Sequence, residues 1–198
     1  MSSHMSLHFY EIQAKNYVQS TINVDMSALT HEFMRLLPPG AHILDVGCGS
    51  GRDSKTFIDN GFRVTAMDGS QALCALAQRH IKQPVLHKSF LDINWQEKFE
   101  GVWACASLLH CSPQELPIVF KKINAALKPS GWLYTSFKFG SGYRQEGQRY
   151  FLDMNEASFK KLLNNYSELT IEKIWLSSDR RTHNTTQWLN ALIQKKNN

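Results

Sequence analysis

Between Leu44 and Ser54 the chain reads Leu-Asp-Val-Gly-Cys-Gly-Ser-Gly-Arg-Asp-Ser. Gly47, Gly49 and Gly51 alternate there, and without a Cβ they let a ligand lie directly against the main chain. A ligand so placed meets the free N–H groups that open the following helix. The spacing is not the G-x-G-x-x-G of dinucleotide folds, in which a pyrophosphate sits on that helix terminus. Asp45, just ahead of the glycines, would repel a pyrophosphate and suit a ligand that carries an amino group. A second acid, Asp68, ends the next apolar run and is followed by Gly69 and Ser70. A carboxylate at that place can accept from two vicinal hydroxyls, as a ribose presents them. Asp-Gly-Ser also suits a helix start, so a capping role is the other reading. Leu91-Asp92 follows a third short run. Asp92 there can accept from an exocyclic amine while Phe90 or Leu91 packs on its ring, or it is an ordinary turn residue.

These residues need a scaffold that brings the ends of several strands together. Residues 25–36 carry apolar side chains at helical spacing and stop at Pro38-Pro39-Gly40. His42–Val46 is a short β-type run, and residues 51–60 read as a helix closed by Asn60-Gly61. Phe62–Met67 alternates and reads as a strand, residues 70–80 as a helix, and Pro84–His87 as a short strand. Val102–Ala106 is apolar on both faces, as a strand buried between two helical layers is. Ser112-Pro113-Gln114-Glu115 is a helix start with the pattern of a capping box. That helix runs to about Leu127, where Lys128-Pro129-Ser130-Gly131 terminates it ahead of a strand at Trp132–Phe137. Residues 138–150, with three glycines and few apolar groups, read as a long loop. A helix at about 155–164 and strands near 168–176 and 186–194 follow, the last with helical propensity as well. Trp175 and Trp188 are expected in the core. Alternating strands and helices with short links predict an α/β doubly wound, Rossmann-like sheet, with ligands at the carboxyl ends of its central strands.

Asp45-Val46-Gly47-Cys48-Gly49-Ser50-Gly51, Asp68 and Leu91-Asp92, with Leu127–Gly131 before a strand, resemble the class I S-adenosylmethionine-dependent methyltransferases over roughly residues 40–140. Ala104–His110 and Tyr134–Gly140 are similar to a bacterial subgroup related to tellurite-resistance methyltransferases. The resemblance implies a seven-stranded sheet in the order 3-2-1-4-5-7-6 with the last strand antiparallel. It also implies S-adenosyl-L-methionine as cofactor and S-adenosyl-L-homocysteine as its product. Gly47, Cys48, Gly49 and Gly51 would lie against the methionine part and Asp45 would face its ammonium. Asp68, with Gly69 and Ser70 beside it, would bind the ribose, and Leu91 and Asp92 the adenine. Ala106 and Ser107 would flank the cofactor near the transferable methyl. The family commonly has Gly-Gly after the proline where this chain has Ser130-Gly131, and only the second glycine is expected to be needed for the turn.

Methyl transfer is a displacement at carbon, and the sulfonium carries the activation. The protein mainly aligns the reactants, which alone lowers such a barrier by about 7–11 kcal/mol. An acceptor of high pKa needs a base nearby. His110, just past the fourth strand, is the candidate catalytic base; its alternatives are capping the Ser112 helix or packing on the cofactor. Tyr10 and Tyr17 lie on a segment that can fold back as a lid, Tyr17 toward the cofactor and Tyr10 toward the acceptor. Lys138, Tyr143, Arg144 and Arg149 fall where this fold faces its acceptor, and their cations suit a carboxylate, oxyanion or phosphate. His80 and His87 have no third ligand at useful spacing, so no metal site is expected.

The 198 residues, 42% of them apolar, suffice for one domain and argue against a disordered chain. The expected division is a cloning remnant at 1–4, an N-terminal helical segment or lid at 5–39 and one methyltransferase domain at 40–198. No apolar run approaches the roughly 20 residues of a membrane span. Cys48, Cys74, Cys105 and Cys111 form no CxxC pair, which points to free thiols in a reducing cytoplasm. Residues 1–120 hold nine basic and eleven acidic side chains, and the remainder thirteen and six. This asymmetry suits an anionic small-molecule acceptor. A tRNA or other nucleic-acid acceptor is the second reading, though no dense basic tract or appended RNA-binding module supports it. A non-catalytic S-adenosylmethionine-binding protein is the third. The oligomeric state has no signature in the sequence.

Overall fold

The computed structural model of the chain describes residues 2–181 and 184–197, with side chains from Ser6 onward. Nine strands are present among them: β1 (His42–Val46), β2 (Arg63–Asp68), β3 (Val85–His87), β4 (Phe99–Ala104), β5 (Leu127–Lys138), β6 (Gly142–Glu146), β7 (Arg149–Asp153), β8 (Leu169–Ser178) and β9 (Gln187–Lys195). The helices are α1 (Ser2–Thr21), α2 (Ser27–Met34), α3 (Arg52–Asp59), α4 (Gln71–Ile81), α5 (Glu115–Ala126) and α6 (Glu156–Leu163). Seven strands pair in the order β3-β2-β1-β4-β5-β9-β8, and β6 and β7 form a separate hairpin. β1 to β5 run parallel, and β9 is inserted antiparallel between β5 and β8. With the hairpin set aside this is the expected Rossmann-like order, and its direction reverses between β1 and β4. A crevice opens there at the carboxyl ends of the strands.

Helices on both faces leave the central strands largely apolar, with Asp45, Thr135 and Ser136 as buried polar exceptions. One layer of the core joins Leu44, Val102, Phe120, Phe137 and Phe159. The other joins Phe33, Ile43, Phe57, Trp103 and Tyr134, with Trp103 stacked on Tyr134 at 4.0 Å between ring centroids. Each such fully buried side chain contributes about 1.5–3 kcal/mol. Trp175 and Trp188 are only half-buried at the margin of the core. An indole N–H wants a partner, and that of Trp188 donates to Asp179 at 3.1 Å.

The capping box before α5 forms as its sequence suggests: Glu115 N–H donates to Ser112 Oγ, and Ser112 N–H to the Glu115 carboxylate. The far end of α5 is closed by Lys195, whose buried ammonium donates to the Asn124 and Leu127 carbonyls. Three expectations change. β5 already begins at Leu127, so Lys128–Gly131 lies within the strand. Ser130 as well as Gly131 is conformationally constrained, since Ser130 takes φ +61°, a left-handed backbone that costs a non-glycine residue about 1–2 kcal/mol. Residues 138–150 are not a loop: Glu146 pairs with Arg149 across a two-residue turn, with Gly147 at φ +60°. The hairpin is fastened to the end of β5 through Met154 N–H, which donates to the Lys138 carbonyl at 3.0 Å.

Met1, part of the segment read as a cloning remnant, lies outside the described residues; Ser2–His4 open α1. This helix crosses the carboxyl ends of the strands with Leu7, Tyr10, Ala14, Tyr17 and Thr21 toward the body, a spacing of three and four residues. Its Glu11 carboxylate accepts from Ser70 Oγ at 2.7 Å and Ala72 N–H at 3.2 Å. Ser6 Oγ accepts from Tyr150 N–H, and the Thr21 carbonyl from Arg52. Among the described residues no helix is long and apolar enough to cross a membrane.

Candidate functional site

At the end of β1 the chain reverses so tightly that Gly47 and Cys48 N–H both donate to the Met67 carbonyl, each at 2.9 Å. Gly47 has φ +77°, and a Cβ there would fall 2.7 Å from the Ser107 Cβ. Gly49, at φ +55°, would put its Cβ 3.0 Å from the Tyr17 ring. The turn is therefore bare main chain, roofed by Tyr17 and walled by Ser107. Gly51 ends it as the residue before α3.

Asp68, at the end of β2, is buried under this turn. Its Oδ2 accepts from Gly49 N–H and its Oδ1 from Ser70 N–H, both at 2.9 Å. Burial raises its pKa, against the pull of these donors. The cap of α4 is Ser70, whose Oγ accepts from Leu73 N–H, so Asp68 is free of that duty and ties the glycine turn to the neighbouring strand. Asp53, in the first turn of α3, accepts from Arg52 and from the Trp103 indole at 2.9 Å, which satisfies a second buried carboxylate.

Asp45 is a third. Its Oδ2 accepts from Ser54 Oγ at 2.6 Å, and burial together with the Asp53 charge pushes its pKa up to about 7. A carboxyl raised this far from its ordinary 3.8 binds its proton more tightly folded than unfolded. The contribution of Asp45 to stability is then fully present below pH 4 and is lost as the pH rises through 7. Asp45→Asn keeps an acceptor for Ser54 and removes that decline. At pH 8 the variant should be more stable than the parent by up to about 4 kcal/mol in urea denaturation. Equal stabilities at pH 8 would overturn this assignment.

One cavity borders the turn and a second opens beyond Tyr17 and Ala106. The first, of about 140 Å3, runs from Gly47, Gly49, Asp68 and Gly69 to Ser89, Phe90 and Leu91, with Leu73 and Val119 behind. Ser107 Oγ on its wall is buried without a hydrogen-bond partner, an orphaned polar group of the kind a ligand satisfies. The second cavity, of about 530 Å3, is polar and takes its walls from α1, the ends of β5, β8 and β9, and the hairpin. Lys138, Arg144, Arg149 and Arg181 line it, against Glu146, Asp153 and Asp179. The two cavities share Tyr10, Tyr17, Ala106 and His110. Ala106 holds φ +51°, and its N–H donates to Ser136 Oγ at 2.9 Å.

His110 stands at this junction. Its Nδ1 is 2.8 Å from the Tyr150 carbonyl and its Nε2 2.8 Å from Tyr10 Oη. A carbonyl only accepts, so Nδ1 carries the proton and Nε2 takes the Tyr10 hydroxyl. Burial, and the nearby Arg149 and Lys138 charges, push the imidazole pKa down to about 4. Burial raises the Tyr10 phenol, with the Arg149 guanidinium opposing.

The expected site residues divide accordingly. Gly47, Gly49, Asp68, Gly69, Leu91, Ala106, Ser107 and Tyr17 line the first cavity, and Tyr10, Lys138, Arg144 and Arg149 the second. Asp45, Cys48, Gly51, Ser70, Asp92 and Tyr143 line neither. The Asp92 carboxylate folds back onto Ser89 N–H and Oγ in a 3-10 turn, which leaves Phe90 and Leu91 to face the cavity. Tyr143 stacks on Tyr150 within the hairpin. Sequence reasoning missed Leu7, Glu11 and Glu146; the apolar stripe of α1 was the signal for the first.

Residues 43–131 match the family model of the methyltransferase domain. YqeM of Bacillus subtilis (strain 168) is 32% identical over 116 residues, covering 52% of this chain and 46% of that protein. The ubiquinone biosynthesis O-methyltransferase of Coxiella burnetii (strain RSA 493 / Nine Mile phase I) is 32% identical over 108 residues, 49% of this chain and 43% of that protein. The chain thus spans less than half the length of the curated relatives it matches. Among solved structures, the 1,6-didemethyltoxoflavin-N1-methyltransferase of Burkholderia thailandensis, with S-adenosylhomocysteine bound, superposes with a TM-score of 0.80 at 22% identity, over 98% of this chain and 88% of that one. The likeness in structure shows the fold, and from β1 to the turn inside β5 the sequence matches the methyltransferase domain family.

Proposed function

We propose that this chain transfers a methyl group from S-adenosylmethionine to a small organic acceptor that carries negative charge. The carrying observation is the junction: a cavity of bare glycine backbone and buried acid meets a cationic cavity, among the described residues, at Tyr10, Tyr17, Ala106 and His110. The residues present fit the cofactor, since Cβ atoms at Gly47 and Gly49 would fill its cradle and Ser107 Oγ offers an unpaired hydroxyl. Gly47 and Gly49 would hold its amino-acid part, Asp68 its ribose, and Phe90 and Leu91 its adenine ring. Bound there, it supplies an electrophilic methyl on a sulfonium. Asp45, one layer below, ties β1 to α3 through Ser54. α1 acts as the lid, with Tyr17 excluding water above Gly49 and Glu11 latching the helix to α4.

His110 and Tyr10 handle the acceptor's proton. Tyr10 Oη takes it while passing its own to His110 Nε2, and the Tyr150 carbonyl holds the imidazole in the tautomer this requires. The tellurite-resistance subgroup resembled by β4 and β5 names no acceptor, and a cavity of about 530 Å3 favours an organic anion over a small inorganic one. The test is incubation with methyl-labelled S-adenosylmethionine and a panel of hydroxy- and amino-carboxylates, beside calorimetric titration with S-adenosylhomocysteine. Saturable binding and labelled product support the reading. No heat of binding overturns it, and binding without transfer to any acceptor class, tRNA included, leaves a non-catalytic binding protein.

A further inference from the structure

Three cations of the second cavity point at one carboxylate. Lys138 Nζ donates to Glu146 Oε2 at 3.1 Å, Arg144 Nη1 to the same oxygen at 2.7 Å, and Arg149 Nη2 stands 3.9 Å from Oε1. The cations are positioned without Glu146. Lys138, Arg144 and Arg149 all stand over the Phe151 ring, at 3.8, 5.3 and 5.1 Å from its centroid. Arg144 is also paired with Asp153 at 2.5 Å, and Lys138 is largely buried. Glu146 is the most exposed member, with 49% of its side chain accessible against 41% for Arg144, and it lies at the tip of the hairpin. These cations hold the Glu146 carboxyl down to about 2, so the seat favours an anion, and a carboxylate on an exposed hairpin tip can yield that seat to another while the seat persists.

We propose that this cradle of Lys138, Arg144 and Arg149 is the seat of the acceptor's carboxylate, and that Glu146 is an internal stand-in which the acceptor displaces. The assignment to an acceptor rests on the methyl-transfer reading above. A carboxylate is favoured because the seat already holds one, with two donors on one oxygen and a third cation facing the other. The seat lies close to the reaction site. The His110 ring packs on the same Phe151 ring, at 5.0 Å between centroids, and Arg149 also faces Tyr10. The seat and the Tyr10–His110 pair thus share one aromatic ring. The acceptor class that reaches from the seat to the pair is a ring-sized molecule with a carboxylate at one end and the methylated hydroxyl or amine at the other.

Benzoate is the probe, titrated calorimetrically into the full chain with and without S-adenosylhomocysteine. Glu146→Gln empties the seat without removing a cation and should bind benzoate about five- to tenfold tighter than the parent. Lys138→Gln should bind it more weakly. Glu156→Gln, which adds the same unit of charge on α6 where Glu156 pairs with Lys160, should match the parent. Equal affinity in Glu146→Gln and the parent, an equal gain in Glu156→Gln, or no saturable binding to any of them overturns the proposal. Phosphate binding tighter than benzoate overturns the choice of a carboxylate. If the benzoate results hold but S-adenosylhomocysteine does not bind, the cradle stands as an anion site and its assignment to a methyl acceptor falls.

Discussion

Asp68→Ala should weaken S-adenosylhomocysteine about 10–150-fold in calorimetry, because it removes charge-assisted hydrogen bonds worth about 1.5–3 kcal/mol. Two effects add in the same direction. The ribose loses its acceptor, and the glycine turn loses its tie, since Gly49 and Ser70 N–H both donate to this carboxylate. Asp68→Asn separates them. Its amide oxygen can still accept from one backbone N–H, so the turn is partly kept while the charge is lost, and its affinity should fall between parent and alanine variant. The loss must also be selective. Because the two cavities, among the described residues, meet at the junction, benzoate binding to the cationic cavity should survive both substitutions. An Asp68→Ala protein of unchanged affinity for S-adenosylhomocysteine would remove the ribose assignment.

The glycine turn was legible because its demands are local: positive φ at alternating positions leaves few residue choices. The capping box before α5 was legible for the same reason, as both of its hydrogen bonds lie within four residues. The sheet order came from the resemblance to a family, since no periodicity in β1 or β4 says which strand lies beside which. The β6–β7 hairpin was hidden by its function. Arg144 and Glu146 face a polar cavity, so the alternation of apolar and polar residues that marks a strand is diluted. Gly147 at the first position of a two-residue turn was the one available sign. Gln187–Lys195 has helical propensity but is a strand, since pairing with β5 on one side and β8 on the other outweighs it. Asp92 shows the opposite limit. Its carboxylate folds back onto Ser89, three residues away, an arrangement decided by backbone angles that the sequence does not display.

The other large effect concerns rate. His110→Ala should lower kcat by about 10²–10⁴-fold toward an acceptor whose hydroxyl or amine must lose a proton, with S-adenosylhomocysteine affinity unchanged. Tyr10→Phe tests how the proton travels. Were His110 the direct base, losing the phenol would free Nε2 and leave the rate intact or faster. In the relay the phenol is the link, so Tyr10→Phe should be nearly as slow as His110→Ala, and the double variant no slower than either, as residues acting as one unit behave. The pH profile supplies an independent sign. With its pKa near 4, His110 is already neutral above pH 5, so kcat/KM should stay level from about pH 5 to 8 and fall only toward pH 4. An exposed histidine would place that fall near its ordinary 6.5. Full activity in His110→Ala would show that the Tyr10–His110 pair is not the route the proton takes, and an acid limb near 6.5 that His110→Ala abolishes would show that His110 acts as an exposed base and not within the buried pair.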